Sequence, residues 1–555
     1  MKPTRTRRFW RALVLSVALA VGATGALAAC STTPNKGSSE TLRIAAIGNA
    51  SFVRNFNPFS PTALGMTTHS VYESMIVTNL AKGNVVPWLA KSYDWSADGL
   101  TLTFHLQPGA TWSDGKKLTS DDVVYTFGLA RKVLGPTTFD YVSDVKAADP
   151  TTVEFTLNRK YTPGLYELGQ QVIVPKHIWE SQKNPSTWQN PSPVGSGPFT
   201  QVSNFSAQSF DLLRNPHYWQ KDKAKYTGIR LIAYSGNDAA NIAGINGQLD
   251  WGLGYIQDVQ KTYVDKDPKY RGYWFPPVGS TISLTLNTTV APFDDANVRK
   301  AISMAIDRNE VVKTGMSGYA HPANCTGLSD AYKSWLDPQV ADNCTWTKED
   351  VAAANKLLDA SGYPKGSDGI RVDKSGKPIS FTIGVGSAST DWISVAQVIS
   401  RNLKQIGVDA KLNVKDWSQI NTALFGGTFT GNIAWSQAGV TPFEYYRSAM
   451  SCQTVKPVGE QTTQNFQRYC SKEADELLNQ FAAATSESDQ HAIMNKLQAL
   501  YNELAPTVPL FPGPDWGIYN SKNFTGWPSE KNPYATLSPG ESSTVLVLTN
   551  LKPRG

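Results

Sequence analysis

The sequence predicts an α/β protein with at least two lobes, and three observations support this. About 525 residues follow the first thirty, which is more chain than one ordinary hydrophobic core contains. Alternating apolar and polar stretches typical of half-buried strands occur beside stretches with helical periodicity. Residues 381–414 have the pattern of a strand, a helix and a second strand, which predicts a βαβ unit. Aromatic residues at 11% and charged residues at 18% favour a dense globular protein over a disordered one.

The first thirty residues have the composition of an export signal. A basic stretch precedes an apolar one that ends in Leu27-Ala28-Ala29-Cys30. This ending resembles the lipobox of bacterial lipoproteins, so we predict a signal peptide over residues 1–29 and a lipid on Cys30. Residues 30–40 are predicted to be a flexible tether, because they are rich in Ser, Thr, Pro and Gly. An ordinary secretory signal or an uncleaved membrane anchor is the alternative.

The net charge gives no sign of a nucleic-acid partner. The formal charge is +6, but five of the positive residues stand in the signal segment, which leaves about +1 for the mature chain. No basic footprint for nucleic acid remains. Because no repeat and no further apolar run of membrane-spanning length follows, we expect one multi-lobed body. We also expect the protein to be a monomer.

Four cysteines remain after Cys30 is assigned to lipid, and an even number in an oxidising compartment predicts disulfides. The most economical pairing joins Cys325 to Cys344 and Cys452 to Cys470, and each bond would contribute on the order of 3 kcal/mol. Three pairings are possible from the sequence alone. A zinc site is the alternative, although no CxxC or HxxxH spacing supports it.

Local patterns predict several individual elements. The predicted strands lie at 100–106, 152–157, 381–385 and 408–414, and a turn at 113–116 lies between the first two. The predicted helices are one from Thr119 to about Arg131, one N-capped by Asp295, one at 391–406 that Gly407 ends, and one at 486–504 that the proline-rich residues 506–514 stop.

Several short motifs follow one another in a characteristic order along nearly the whole chain. They are Val71-Tyr72-Glu73-Ser74-Met75, Trp112-Ser113-Asp114-Gly115-Lys116 before Thr119-Ser120-Asp121-Asp122-Val123, Val194-Gly195-Ser196-Gly197-Pro198-Phe199, Asn215-Pro216 with Tyr218-Trp219, and the block 287–308. In this order and spacing they resemble extracytoplasmic solute-binding protein family 5, whose members bind oligopeptides, dipeptides, nickel or some oligosaccharides for ABC importers.

The resemblance implies a two-lobed periplasmic-binding-protein-like fold of the cluster C type, with an extra subdomain inserted in lobe I at about 91–190. Lobe I would comprise 41–277 and 512–550, and lobe II would comprise 278–511. Two crossing segments, near 275–280 and 509–514, would form a hinge that closes over the ligand. The partner would be an ABC permease, with the protein anchored to the outer face of the cell membrane. Trp112, Gly195, Gly197 and Asp307 are expected to hold turns, caps and packing.

The stretch 416–447 contains the predicted ligand site. Trp417 and Trp435 resemble a pair that lines the cleft of the oligopeptide-binding members, and large aromatic faces suit peptides and sugar rings alike. The family's carboxylate for the peptide amine is replaced by Ala438, and a second Asp by Thr441. The uncharged side chains at this site would suit a neutral ligand; they are Asn432, Ser436, Gln437 and Thr441.

Three ligand classes therefore stay open: a peptide or peptide-like amide, which the family favours slightly, a neutral oligosaccharide, and a small aromatic or amide compound. Nickel and haem are weakly supported because the six histidines are scattered, and no cofactor is expected. The remaining predicted cleft residues are Asn49, Phe52, Trp251, Ser280 and Trp516. A secreted hydrolase is the distant alternative, but no GxSxG, HExxH or P-loop motif supports an enzyme.

Overall fold

The computed structural model describes residues 40–48, 51–60 and 62–554. The predicted signal peptide, the lipidation site at Cys30 and the predicted ligand residue Asn49 lie outside the described residues. None of the helices in the described part of the chain is both long enough and apolar enough to cross a membrane.

The described strands are numbered in chain order. They are β1 (Thr41–Ile47), β2 (Ile76–Asn79), β3 (Asn84–Pro87), β4 (Ala90–Trp95), β5 (Thr101–Leu106), β6 (Val142–Asp149), β7 (Thr152–Leu157), β8 (Phe199–Ser203), β9 (Ser209–Arg214), β10 (Gly228–Tyr234), β11 (Trp251–Gly252), β12 (Arg271–Tyr273), β13 (Thr281–Leu286), β14 (Ser380–Gly386), β15 (Asp409–Lys415), β16 (Gly431–Trp435), β17 (Val508–Pro512), β18 (Ile518–Asn520), β19 (Phe524–Thr525) and β20 (Lys552–Pro553).

The described helices are numbered in the same way. They are α1 (Thr68–Val71), α2 (Ser120–Leu134), α3 (Gly164–Gly169), α4 (Lys176–Trp179), α5 (Asn237–Ile245), α6 (Val259–Thr262), α7 (Ala296–Met304), α8 (Arg308–Glu310), α9 (Pro338–Asp342), α10 (Val351–Ala360), α11 (Thr390–Leu403), α12 (Trp417–Gly426), α13 (Phe443–Met450), α14 (Lys472–Ala483), α15 (Glu487–Leu504) and α16 (Thr544–Asn550).

Two mixed sheets organise the fold, which confirms the predicted α/β class and its two lobes. A seven-stranded sheet has the order β12-β18-β11-β1-β10-β9-β8, and we call the part of the chain around it lobe I. A five-stranded sheet has the order β15-β14-β16-β13-β17 and forms the centre of lobe II. In each sheet the parallel pairs lie next to antiparallel ones, as β14 pairs parallel with β15 while β13 pairs antiparallel with β16.

The chain passes between the two sheets twice within the described residues. The first connection, residues 274–280, joins β12 to β13, and the second, residues 513–517, joins β17 to β18. The two connections are bonded to each other, because the Gly279 N–H donates to the Gly513 carbonyl at 3.0 Å and the Gly513 N–H donates to the Ser280 carbonyl at 2.9 Å. Their positions overlap the predicted crossing segments.

A separate four-stranded antiparallel sheet, β4-β5-β7-β6, lies within the region predicted as an inserted subdomain. Helix α2 belongs to the same stretch of chain, and the Thr119 N–H at its start donates to Asp122 Oδ2 at 2.9 Å, as the capping pattern predicted. Trp112 is fully buried and donates to the same carboxylate at 3.3 Å. The inserted subdomain and the exact lobe boundaries stay predictions.

Most of the predicted local elements are present in the structure. β14, α11 and β15 form the predicted βαβ unit, and Gly407 ends its helix with a φ of 73°. Asp295 caps α7 by accepting from the Asn297 N–H at 2.8 Å. Cys325 is bonded to Cys344 and Cys452 to Cys470, which is the predicted local pairing. The prolines after α15 do stop that helix, but the same residues then form β17, a strand that we did not predict.

Candidate functional site

A cavity of about 400 Å³ lies where the two connections meet both lobes. The connections contribute Ser280 and Asp515, and lobe II contributes residues 435–439 from the end of β16. The opposite walls come from residues before β3, from the residue that follows α3 and from the segment that leads into α16. Within lobe I these lining residues are His69, Thr78, Leu80, Gln170, Thr536, Gly540, Glu541, Ser542 and Ser543.

The segment 435–439 is held against lobe II by specific hydrogen bonds. The Ser436 N–H donates to the Thr281 carbonyl at 3.0 Å, and the Thr281 N–H donates back to Ser436 Oγ at 3.0 Å. Gln437 Nε2 donates to the Thr463 carbonyl at 2.7 Å, and the Gly439 N–H donates to the hydroxyl of Tyr332 at 2.8 Å. These bonds fix one wall of the cavity where β16 ends.

The structure brings the two predicted tryptophans into contact, with their ring centroids 6.2 Å apart. Trp435 lines the cavity and also packs edge-on against Phe466 at 5.6 Å. Trp417 packs over Gly386, where a Cβ atom would lie 2.2 Å from the indole ring, and it lines a different cavity of about 600 Å³. The two rings are therefore in contact, but they line different cavities.

The other predicted site residues divide between the cavity and the core. Ser280, Ser436 and Gln437 line the cavity. Phe52 is buried against Phe210, with ring centroids 4.9 Å apart, and Trp251 is fully buried and donates to the Leu537 carbonyl at 2.6 Å.

Asn432 is 2% exposed inside the five-stranded sheet, with its Oδ1 against Gly384, while Trp516 packs on Phe275 with ring centroids 4.8 Å apart. None of Phe52, Trp251, Asn432 and Trp516 is among the described residues that line the cavity, so we leave them out of the site.

The cavity contains titratable residues that we did not predict. Burial and the nearby carboxyl of Glu541 together raise the pKa of Asp515 to about 7, although hydrogen bonds from Thr536 and Ser538 oppose the shift. Burial also raises the pKa of Glu541. Desolvation lowers the pKa of His69 to about 4, so this imidazole is neutral at pH 7. Among the described residues, no group of three or more His, Cys, Asp or Glu side chains is placed to hold a metal ion.

No local sequence pattern indicates that Asp515 and Glu541 belong to a binding site. Asp515 follows a proline-rich strand and Glu541 stands in a loop rich in Ser and Gly, so each has the sequence context of an ordinary surface acid. Asp515 stands on the second connection itself, and Glu541 reaches the same cavity because the C-terminal segment returns to lobe I.

We expect Trp435→Ala to weaken ligand binding about tenfold or more, because an aromatic wall of the cavity is lost. Trp417→Ala is the matched control, since this ring packs beside Trp435 but lines the other cavity, and its effect should be clearly smaller. Isothermal titration of both variants measures the two affinities. Equal losses would mean that the ligand spans both cavities, and normal binding by both would place the ligand elsewhere.

The comparisons with known proteins agree with this architecture. A sequence profile described as "Bacterial extracellular solute-binding proteins, family 5 Middle" matches residues 84–456. A probable ABC transporter-binding protein of Deinococcus radiodurans is 28% identical over 470 residues, which cover 74% of this chain and 76% of that protein. A putative ABC transporter peptide-binding protein of Brucella ovis is 28% identical over 451 residues, which cover 76% of this chain and 77% of that protein.

Solved structures with the same fold include binding proteins with different ligands. The periplasmic oligopeptide-binding protein of Thermotoga maritima, solved with mannohexaose, superposes with a TM-score of 0.84 at 25% identity, covering 93% of this chain and 99% of that one. The oligopeptide-binding protein AppA of Bacillus subtilis, solved with a nonapeptide, gives 0.77 at 20% identity over 93% and 99% of the two chains. The chain therefore belongs to the bacterial extracellular solute-binding proteins of family 5, which are the substrate-binding components of ABC transporters.

Proposed function

We propose that this chain is a lipid-anchored receptor that captures a peptide or peptide-like amide in the cavity at the two connections and delivers it to an ABC permease. The position of the cavity carries the proposal, because its walls come from both lobes and from both connections. A ligand there would touch every part that has to move when the lobes close. Peptide-binding relatives such as the Brucella ovis protein support this ligand class.

Two further features belong to the same proposal. Cys30 would carry the lipid that keeps the protein near its permease, and the residues up to about 40 would form the tether. The protein would act as a monomer without catalysis, and the energy for transport would come from a separate ATPase.

A neutral oligosaccharide is the second candidate ligand. The Thermotoga maritima relative was solved with mannohexaose, and Ala438 replaces the family's peptide-binding carboxylate with a small uncharged side chain in the cavity wall. Hydroxyl and amide groups line much of the remaining surface, and such groups bind sugars as readily as peptides.

A thermal-shift screen of the chain from Ser31 onward distinguishes the candidates, because a ligand that binds only the folded state raises the melting temperature. We expect short peptides to raise it, with a shift of several degrees at 100 times the Kd. A shift with oligosaccharides alone would support the second candidate. If neither peptides, oligosaccharides nor small amides produced a shift, the proposed capture of such ligands would be wrong.

A further inference from the structure

The cavity at the connections has an unbalanced set of charged side chains. Asp515 and Glu541 both line it, and none of the described residues that line it is Lys or Arg. Neither carboxyl takes part in an ion pair within the described residues. The third titratable side chain in the wall is His69, and its lowered pKa leaves it neutral at pH 7. Two acids thus share one enclosed space without a protein cation.

A hydrogen bond fixes the backbone of Asp515, while one of its carboxyl oxygens has no hydrogen-bond donor. Its N–H donates to the Pro276 carbonyl of the other connection at 2.8 Å, so the backbone position is fixed. Its Oδ2 atom is buried and is bonded by no group of the described residues. A buried carboxylate oxygen without a hydrogen-bond donor is destabilising, and either a proton or a donor group of a ligand removes this cost.

Glu541 approaches the same space from the C-terminal segment. Its own carbonyl accepts from the Thr544 N–H at 3.0 Å at the start of α16, which orients the loop that carries it. Its side chain is exposed to the cavity, yet the surrounding protein restricts its hydration enough to raise its pKa. Both side chains line the same cavity, and the charge of the Glu541 carboxyl contributes to the raised pKa of Asp515.

We infer that Asp515 and Glu541 together bind a cationic nitrogen of the ligand, either a protonated amine or a guanidinium. This inference rests on the proposed function. Such a group supplies N–H donors to both carboxyls and removes the repulsion between them. A sugar hydroxyl would donate a hydrogen bond but would leave the repulsion in place. A metal ion fits less well, because the described residues offer no third ligand at the pair.

Binding of a cation should therefore release protons. Near pH 7 the carboxyl of Asp515 is about half protonated, because its pKa is raised to about 7, and a cation beside it lowers that pKa. A neutral ligand leaves the protonation of Asp515 unchanged and gives no such release. His69 contributes nothing in this range because its pKa lies at about 4.

The first test needs no knowledge of the natural ligand. We compare the melting temperature of the mature protein in ethylammonium chloride and in equal concentrations of tetramethylammonium chloride, whose cation has no N–H donor. We expect ethylammonium at ten times its Kd to raise the melting temperature by about 1 °C relative to tetramethylammonium. The difference should vanish in D515N and in E541Q, and persist in E530Q, whose carboxyl is exposed elsewhere in the C-terminal segment. Equal melting temperatures in the two salts would overturn the inference.

The second test uses alanine peptides of two to six residues, their N-acetylated forms and mannohexaose. Titration calorimetry at pH 7 in two buffers of different ionisation enthalpy should show that the free-amine peptides release protons when they bind. D515N and E541Q should bind these peptides at least about tenfold more weakly. Tight binding of N-acetylated peptides or mannohexaose, unchanged in both variants, would overturn the inference while leaving capture in the cavity intact. If no probe bound, the proposed ligands would be wrong, and the salt comparison would still decide on the cation site.

Discussion

Replacement of Glu73 by Ala should lower the free energy of unfolding by about 4 kcal/mol or more. The carboxylate of Glu73 is 1% exposed and accepts three side-chain hydrogen bonds. The donors are Trp88 Nε1 at 2.7 Å, the Tyr218 hydroxyl at 2.9 Å and Trp219 Nε1 at 2.8 Å. Alanine would leave these donors without a partner and open a cavity between them, and a buried donor without a partner costs about 1–3 kcal/mol.

The midpoint of urea unfolding measures this loss, and Glu476→Ala is the control because that glutamate is exposed on α14. The control should unfold within about 0.5 kcal/mol of the unsubstituted protein. Equal midpoints for the two variants would mean that the three donors find other partners, and that Glu73 does not hold this part of lobe I together.

The same residue gives a test of its protonation. Burial raises the pKa of Glu73 from 4.5 to about 7, although the indole and phenol donors oppose the shift. Because the folded-state pKa is the higher one, the stability due to the bound proton is fully present below about pH 4.5 and is lost as the pH rises through 7. The stability of the unsubstituted protein relative to Glu73→Gln should therefore fall by about 2 kcal/mol between pH 5 and pH 8. Urea titrations at both pH values check this, and a constant difference would contradict the raised pKa.

Glu73 also shows what the sequence could and could not predict about the fold. Glu73 and the Tyr218-Trp219 pair stand in two of the motifs that carry the family resemblance, 145 residues apart, but nothing local indicates that they meet. Gly195 belongs to a third motif, and a Cβ atom there would lie 1.9 Å from the Val71 carbonyl oxygen. These motifs meet in the structure because distant parts of lobe I pack on each other, which agrees with the structural role expected for Gly195.

Elements determined by local periodicity were predictable, and those determined by sheet pairing were not. The βαβ unit of lobe II could be predicted because the hydrophobic pattern and the glycine stop agree within 36 residues. β17 was missed because Pro509 and Pro512 disfavour a strand; here the strand lies at the edge of its sheet, where a missing N–H costs little.

The candidate site shows the same limit. The family resemblance singled out Trp417 and Trp435 as cleft residues, and the structure places their rings 6.2 Å apart, but only Trp435 lines the cavity at the connections. Asp515 and Glu541 were missed because their meeting depends on the chain returning from lobe II to lobe I through the second connection. No hydrophobic period or motif spacing encodes that return, whereas the resemblance placed both crossing segments approximately.

Gly513→Ala should impair both stability and ligand binding, because it places a methyl group between the two connections. A Cβ atom at Gly513 would lie 2.6 Å from the Ser280 carbonyl oxygen, which accepts the Gly513 N–H. The connections would have to separate, which would break their paired hydrogen bonds and shift Ser280 in the cavity wall. We expect a loss of about 2 kcal/mol in stability and about tenfold or more in affinity for the compound that stabilises the unsubstituted protein most.

Gly109→Ala is the matched control, because a Cβ atom there has no neighbour within 4 Å. Unfolding midpoints and calorimetric titrations give the two losses, and small-angle scattering with and without the compound reports lobe closure through the radius of gyration. If closure depends on bending at these connections, Gly513→Ala should compact less on binding than Gly109→Ala does. A Gly513→Ala protein that binds and compacts like its control would show that the two lobes close about some other part of the chain.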